Sequence, residues 1–125
     1  MDNELFQKVF DIIQPLLPVG WNKTILYVAY TSGSYSMKYY TKDEKDRYID
    51  CFSNKTVGKA QLIRAFMNID KIIVPERKKL AEKDQWSIFT LAVDKNGNMK
   101  ADFDYTDITQ NTIEYERRWK EKYLV

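Results

Sequence analysis

The sequence predicts an α+β fold: an antiparallel sheet of about five strands with helices packed on one face. Two pairs of alternating stretches, near 24–40 and 86–107, each flank a short glycine-containing turn and read as β-hairpins. Apolar residues at helical spacing mark segments near the start, in the middle and at the end of the chain. The resulting order is helix, three strands, helices, two strands, helix. Strands and helices do not alternate as a doubly wound parallel sheet requires.

Residues 3 to 14 read as a first helix, with Leu5, Val9, Ile12 and Ile13 on one stripe. Gln14-Pro15 and Pro18-Val19-Gly20 end it, because proline disfavours helix at the residue before it. Thr24 to Thr31 and Tyr35 to Tyr40 form a hairpin across Ser32-Gly33-Ser34. Ile25, Tyr27 and Ala29 share one face; Leu26, Val28 and Tyr30 share the other. With both faces apolar, this ribbon is either central in a sheet or covered on one side by a partner. After the charged loop Lys42 to Asp46, Tyr48 to Phe52 reads as a short third strand.

Leu62, Phe66, Ile69 and Ile73 recur at helical spacing. Pro75 should break that pattern, since a proline inside a helix costs about 3 kcal/mol. The expectation is two helices, 57–72 and 75–84, with Pro75 opening the second and Glu76 to Lys83 solvated. A closing helix is expected from Thr109 to Lys122, capped by Asp107 or Thr109.

The register of the second hairpin follows from its pattern. A two-residue turn at Asn96-Gly97 would mix core and solvent residues on both faces, which a half-buried sheet does not tolerate. A three-residue turn, Lys95-Asn96-Gly97, with Gly97 left-handed in a bulge, pairs Val93 with Met99, Leu91 with Ala101 and Phe89 with Phe103. Thr90, Asp102 and Asp104 then point the other way, leaving a row of aspartates outside.

The stretch "WSIFTLAVDKNGNMKADFDYTD", followed by "ERRWKEKYL", resembles the C-terminal signature of the YezG/EsaG-type antitoxins. There a Trp opens a strand, a Gly turn leads into a D-[FY]-D-Y-x-D segment, and an Arg/Trp/Lys/Tyr helix follows. The first helix, a "GW" and the Tyr-rich hairpin extend the likeness over most of the chain; Lys42 to Gln85 matches least. The resemblance implies a cytoplasmic immunity protein that binds and neutralises a nuclease toxin exported by the type VII pathway.

At 125 residues the chain suits one domain, 1–125, able to bury a core without metals or cross-links. No apolar run approaches the roughly twenty residues of a membrane helix, and the acidic start, Met-Asp-Asn-Glu, does not resemble a secretory signal. A single cysteine, Cys51, cannot form an internal disulfide and suits a reducing cytoplasm. A net charge of +2 favours neither an acidic mimic nor a strongly basic nucleic-acid binder. With no histidine, the commonest catalytic base and metal ligand is missing. Nine Tyr and three Trp suit half-buried faces and protein interfaces.

Several clusters carry competing readings. Asp94, Asn96 and Asn98 imitate a calcium loop, but the glycine comes at its fourth position and Tyr105 stands at its twelfth, so a turn is expected. Asp102, Asp104 and Asp107 read as a solvated strand face, a contact for a basic partner, or a metal site; the family resemblance favours partner contact. Tyr115, Trp119 and Tyr123, among Arg117, Arg118, Lys120 and Lys122, resemble a basic-aromatic nucleic-acid surface. Their spacing of four is equally that of a helix stripe facing a core, which is the preferred reading. Among the clustered tyrosines, Tyr35 and Tyr39 are candidate interface anchors. Cys51 reads as a buried structural thiol.

The expected function is therefore non-enzymatic: an immunity protein that binds a cognate nuclease toxin through Asp102, Asp104, Asp107, Tyr35 and Tyr39. No cofactor, metal or small-molecule ligand is expected, nor any membrane or direct nucleic-acid partner. The alternative is a small nucleic-acid-binding or regulatory module using the C-terminal helix.

Overall fold

The computed structural model describes residues 3–125. Three helices and five strands follow one another as α1 (Asn3–Ile13), β1 (Lys23–Thr31), β2 (Ser34–Lys42), β3 (Tyr48–Asp50), α2 (Lys59–Lys78), β4 (Ile88–Asp94), β5 (Met99–Asp104) and α3 (Thr112–Tyr123). The sheet is antiparallel throughout, in the order β3-β2-β1-β4-β5. The predicted α+β class holds, with β1 at the centre as its two apolar faces require.

Those faces build two cores. Leu26, Val28, Tyr39, Phe89, Leu91 and Val93 pack beneath α1 and α2. Ile25, Tyr27, Ala29, Tyr40 and Ile88 pack beneath Trp119 of α3. The helices thus divide between both faces, not one as expected. The reason is β1 itself: Ile25 and Tyr27 are 1% exposed, and a bare second face would leave them in water.

On the first face the α1 stripe is Phe6, Val9, Phe10 and Ile13, with Leu5 and Ile12 only flanking it. Phe6 lies 5.6 Å from Phe89, and Phe89 stacks on Phe103 at 5.2 Å. Each such aromatic pair adds about 0.5–1.5 kcal/mol beyond the area it buries.

The β4–β5 register is the predicted one: Val93 pairs with Met99, Leu91 with Ala101, and Phe89 with Phe103. Gly97 turns with φ +87°, a conformation in which a Cβ is penalised. In the first hairpin Thr31 pairs with Ser34, so its turn is Ser32-Gly33, one residue shorter than expected. The third strand stops at Asp50, whose side chain accepts from the Phe52 N–H at 2.8 Å and draws Cys51–Ser53 into a 3₁₀ turn.

The middle of the chain departs furthest from expectation. One continuous helix, α2, replaces the two predicted, and Pro75 lies inside it. Pro75 and Lys71, the residue whose carbonyl loses its amide partner, are both exposed, so the missing hydrogen bond lies on the solvent side. Ile69 and Ile73 are fully buried ahead of Pro75, and beyond it Arg77 donates to the Trp86 carbonyl at 2.7 Å, so α2 is anchored on both sides of the proline. At its start, the Gln61 side chain accepts from the Gly58 N–H at 2.9 Å.

The closing helix also starts later than expected. Asp107 accepts from the Thr109 N–H at 3.0 Å, but in a turn ahead of the helix, and Asn111 occupies the N-cap without a side-chain bond. Neither Asp107 nor Thr109 is the cap.

Candidate functional site

The aspartates of β5 lie on the α3 side of the sheet. Asp102 pairs with Thr90 across the β4–β5 ladder, and Asp104 with Ile88. They do not form a free row. The Tyr123 hydroxyl donates to Asp102 at 2.9 Å, and the Tyr115 hydroxyl donates to Asp104 at 2.7 Å. Asp104 further accepts from the Thr106 N–H and hydroxyl, at 2.9 and 2.7 Å. The two carboxylates therefore strap α3 to the sheet.

The Trp119 indole completes this attachment by donating to the buried Thr90 hydroxyl at 2.9 Å. Behind it, Lys38 bridges Asp50 at 3.7 Å and Glu116 at 3.5 Å, tying α3 to β2 and the end of β3.

Protonation follows from these contacts. Partial burial pushes the Asp104 carboxyl up, but the bonds from Tyr115 and Thr106 outweigh it and hold it below the usual range. Burial, reinforced by the bond to Asp102, raises the Tyr123 phenol to about 12. Burial and Asp104 push Tyr115 higher still. The amide of Thr109 holds Asp107 low in the open.

Along α3 and β5 an open groove of about 670 Å³ is lined by Lys23, Lys100, Asp102, Arg118, Lys122 and Tyr123 among others. Its walls carry both signs of charge. The exposed side of α3 is largely self-neutralised: Arg117 meets Glu114 and Glu121 at 2.6 and 2.8 Å, and Arg118 meets Glu114 at 3.2 Å. Tyr115, Trp119 and Tyr123 turn onto the sheet, as the helix-stripe reading expected, and present no stacking platform for bases.

The five expected contact residues separate. Tyr35 is 39% exposed beside the β1–β2 turn, whereas Tyr39, four residues along the same face of β2, is 1% exposed against Phe66 of α2. Tyr39 is a core residue. Asp107 is exposed beyond the end of β5. The β1–β2 turn and the β5 exit lie at the same end of the sheet, because Tyr30 donates its N–H to Ser87, whose own N–H reaches Asp104. Tyr35 and Asp104 therefore lie toward one end of the sheet but on opposite faces and three strands apart, Tyr35 on the α2 side and Asp104 on the α3 side, with Asp102 one step inward.

Sequence reasoning missed another exposed set. Phe52, Ile63 and Met67 are each close to half exposed. The available signal was Ile63 and Met67, one turn apart and off the Leu62/Phe66/Ile69/Ile73 stripe.

The remaining candidates are structural. Asp94 accepts from the Asn96 and Asn98 amides and from the Asn98 side chain, so the calcium-like stretch is a turn. Among the described residues no three His, Cys, Asp or Glu side chains converge to hold a metal. Cys51 is 2% exposed, and burial pushes its thiol up to about 11, away from the reactive thiolate. No helix among the described residues is long and apolar enough to cross a membrane.

Compared with known protein families, the chain matches the one described as immunity protein YezG-like over residues 3–125. A comparison with curated proteins returns no match.

Proposed function

Because the chain belongs to the YezG-like immunity protein family, whose name gives it an immunity role toward a partner toxin protein, we propose that its partner is a nuclease exported by the type VII pathway, neutralised in the cytoplasm before export. The match over residues 3–125, which takes in both hairpins and all three helices, carries this reading. The site chemistry is compatible with binding: its carboxylates and tyrosines are committed to holding α3, and the functional event is association of surfaces.

At this end of the sheet Asp104 and Asp107 supply negative charge at the exit of β5, and Tyr35 is an exposed ring on the other face. A nuclease grips phosphates with lysines and arginines, and such groups are the natural counterparts of these carboxylates. Asp102 and Asp104 contribute their charge while still bonded to Tyr123 and Tyr115. Reversing their charge would also loosen α3, so Asp107→Lys and Tyr35→Ala are the cleaner probes.

The test is co-expression with candidate type VII-exported nucleases of the same cell, followed by capture of the complex and assay of DNA cleavage. The expected result is a stable complex with cleavage suppressed, weakened about tenfold by Asp107→Lys, within the usual range for one interface contact. Failure to capture the toxin would overturn the immunity reading. Capture with unchanged affinity in both variants would remove Asp107 and Tyr35 from the interface.

A further inference from the structure

Of the exposed apolar side chains, four belong to a single row. At about 100° per residue, Ile63 and Met67 lie on the flank of α2 that also carries Phe66 and Asp70. Phe66 touches Phe52 at 6.2 Å between ring centroids. Asp70 accepts from the Tyr30 hydroxyl at 2.7 Å, and the Tyr30 ring lies 6.1 Å from Tyr35. The flank therefore runs from Phe52 on the Cys51–Ser53 turn, over Ile63 and Met67, towards Tyr35 beside the β1–β2 turn. Beneath the Phe52 end a shallow depression is lined by Phe52, Val57, Lys59 and Leu62. Phe52, Ile63 and Met67 are 45%, 47% and 47% exposed, an unusual density of bare apolar side chains on one helix shoulder.

The charges around this row are predominantly positive. Residues 51–75 contain Lys55, Lys59, Arg64 and Lys71 but a single acid, Asp70, and that acid is held by Tyr30. None of the four cations makes an ion pair among the described residues, whereas the α3 arginines are paired. A chain of net charge +2 thus sets four cations without ion pairs around this exposed apolar strip.

We infer that this shoulder of α2, with Phe52, Ile63, Met67 and Tyr35 as anchors and Lys55, Lys59, Arg64 and Lys71 as its rim, docks an acidic segment of the partner toxin that inserts apolar side chains among them. The inference rests on the immunity reading and adds a surface to it. Apolar anchors ringed by charge are the usual anatomy of a protein interface, and an acidic partner is what four unpaired cations select. A second copy of this chain fits poorly, because a two-fold contact would set the cations against themselves. A phosphate backbone would waste the apolar anchors. A lipid surface needs a continuous apolar helix face, and the one on α2 is spent on the core.

The test is affinity for candidate type VII-exported nucleases of the same cell, measured by calorimetry with wild type, with Ile63→Glu/Met67→Glu, and with Lys59→Glu/Arg64→Glu. Circular dichroism monitors folding; Lys59 and Arg64 are exposed, so the second pair keeps the question open should the first misfold. Each pair is expected to weaken binding at least thirtyfold, and wild-type affinity to fall with added salt. Tight wild-type binding with both pairs within threefold of it would overturn this surface while leaving the immunity reading in place. No wild-type binding would overturn that reading, and this surface with it. Self-association or capture on anionic vesicles, lost in Ile63→Glu/Met67→Glu while toxin binding persists, would reassign the row to another partner.

Discussion

The indole N–H of Trp119 donates to the hydroxyl of Thr90 across 2.9 Å, and the two residues are 3% exposed each. This bond joins α3 to the middle of the sheet in a setting where neither group has water as an alternative. Removing one partner strands the other, at a cost of about 1–3 kcal/mol for a buried polar group.

Thr90→Val should therefore destabilise the protein by about 1–3 kcal/mol, although the side chain keeps its volume. Trp119→Phe should cost more, since it also loses ring contacts with Tyr27 at 4.9 Å and Tyr40 at 5.7 Å. The double variant should cost less than the sum of the two, because both remove one bond. Urea unfolding of all four proteins measures this; strict additivity would show that the bond contributes nothing.

Pro75 offers a change in the opposite direction. It costs α2 an intrahelical hydrogen bond at an exposed position. Pro75→Ala should recover part of the roughly 3 kcal/mol penalty, less the roughly 1 kcal/mol by which proline restricts the unfolded chain. A net gain of about 1–2 kcal/mol is expected, seen as a higher Tm. An unchanged or lower Tm would mean that the restriction proline places on the unfolded chain matches or exceeds the cost of the missing hydrogen bond.

Stability should fall at both extremes of pH. Asp104 titrates lower in the folded protein than in the unfolded chain, so its contribution is complete above the ordinary carboxyl pKa and is lost as pH drops through the folded value. Asp94, Asp107 and Glu114 act in the same direction. Tyr123 is raised from 10.0 to about 12, so its contribution is complete below pH 10 and disappears as pH rises through 12. Tyr27, Tyr30, Tyr39, Tyr40 and Tyr115 are raised further, by burial above all. Denaturation midpoints across pH should form a plateau from about pH 5 to 10, with the tyrosinate absorbance of these six rings rising only as the protein unfolds. More than three of the nine tyrosines ionised at pH 10 in a folded protein would contradict the burial of these six rings.

What the sequence alone determined is what local periodicity can carry. The β4–β5 register was legible because only the Gly97 bulge keeps Phe89, Leu91 and Val93 on one face. Two apolar faces in one strand left β1 either central or covered by a partner, and the "DFDYTD…ERRWKEKY" stretch carried a resemblance to the immunity family. Tertiary structure decided what covers each face. Tyr35 and Tyr39 share a face of β2 and differ only because Phe66 of α2 reaches one and not the other. Asp102 and Asp104 leave a solvated face, a partner contact and a metal site open until Tyr123 and Tyr115 of α3 come down on them. Pro75 reads as a break until Ile69 and Ile73 are buried ahead of it and Arg77 is bonded to the Trp86 carbonyl beyond it. In each case local propensities of a few kcal/mol were redirected by long-range burial, which a pattern of residue types does not encode.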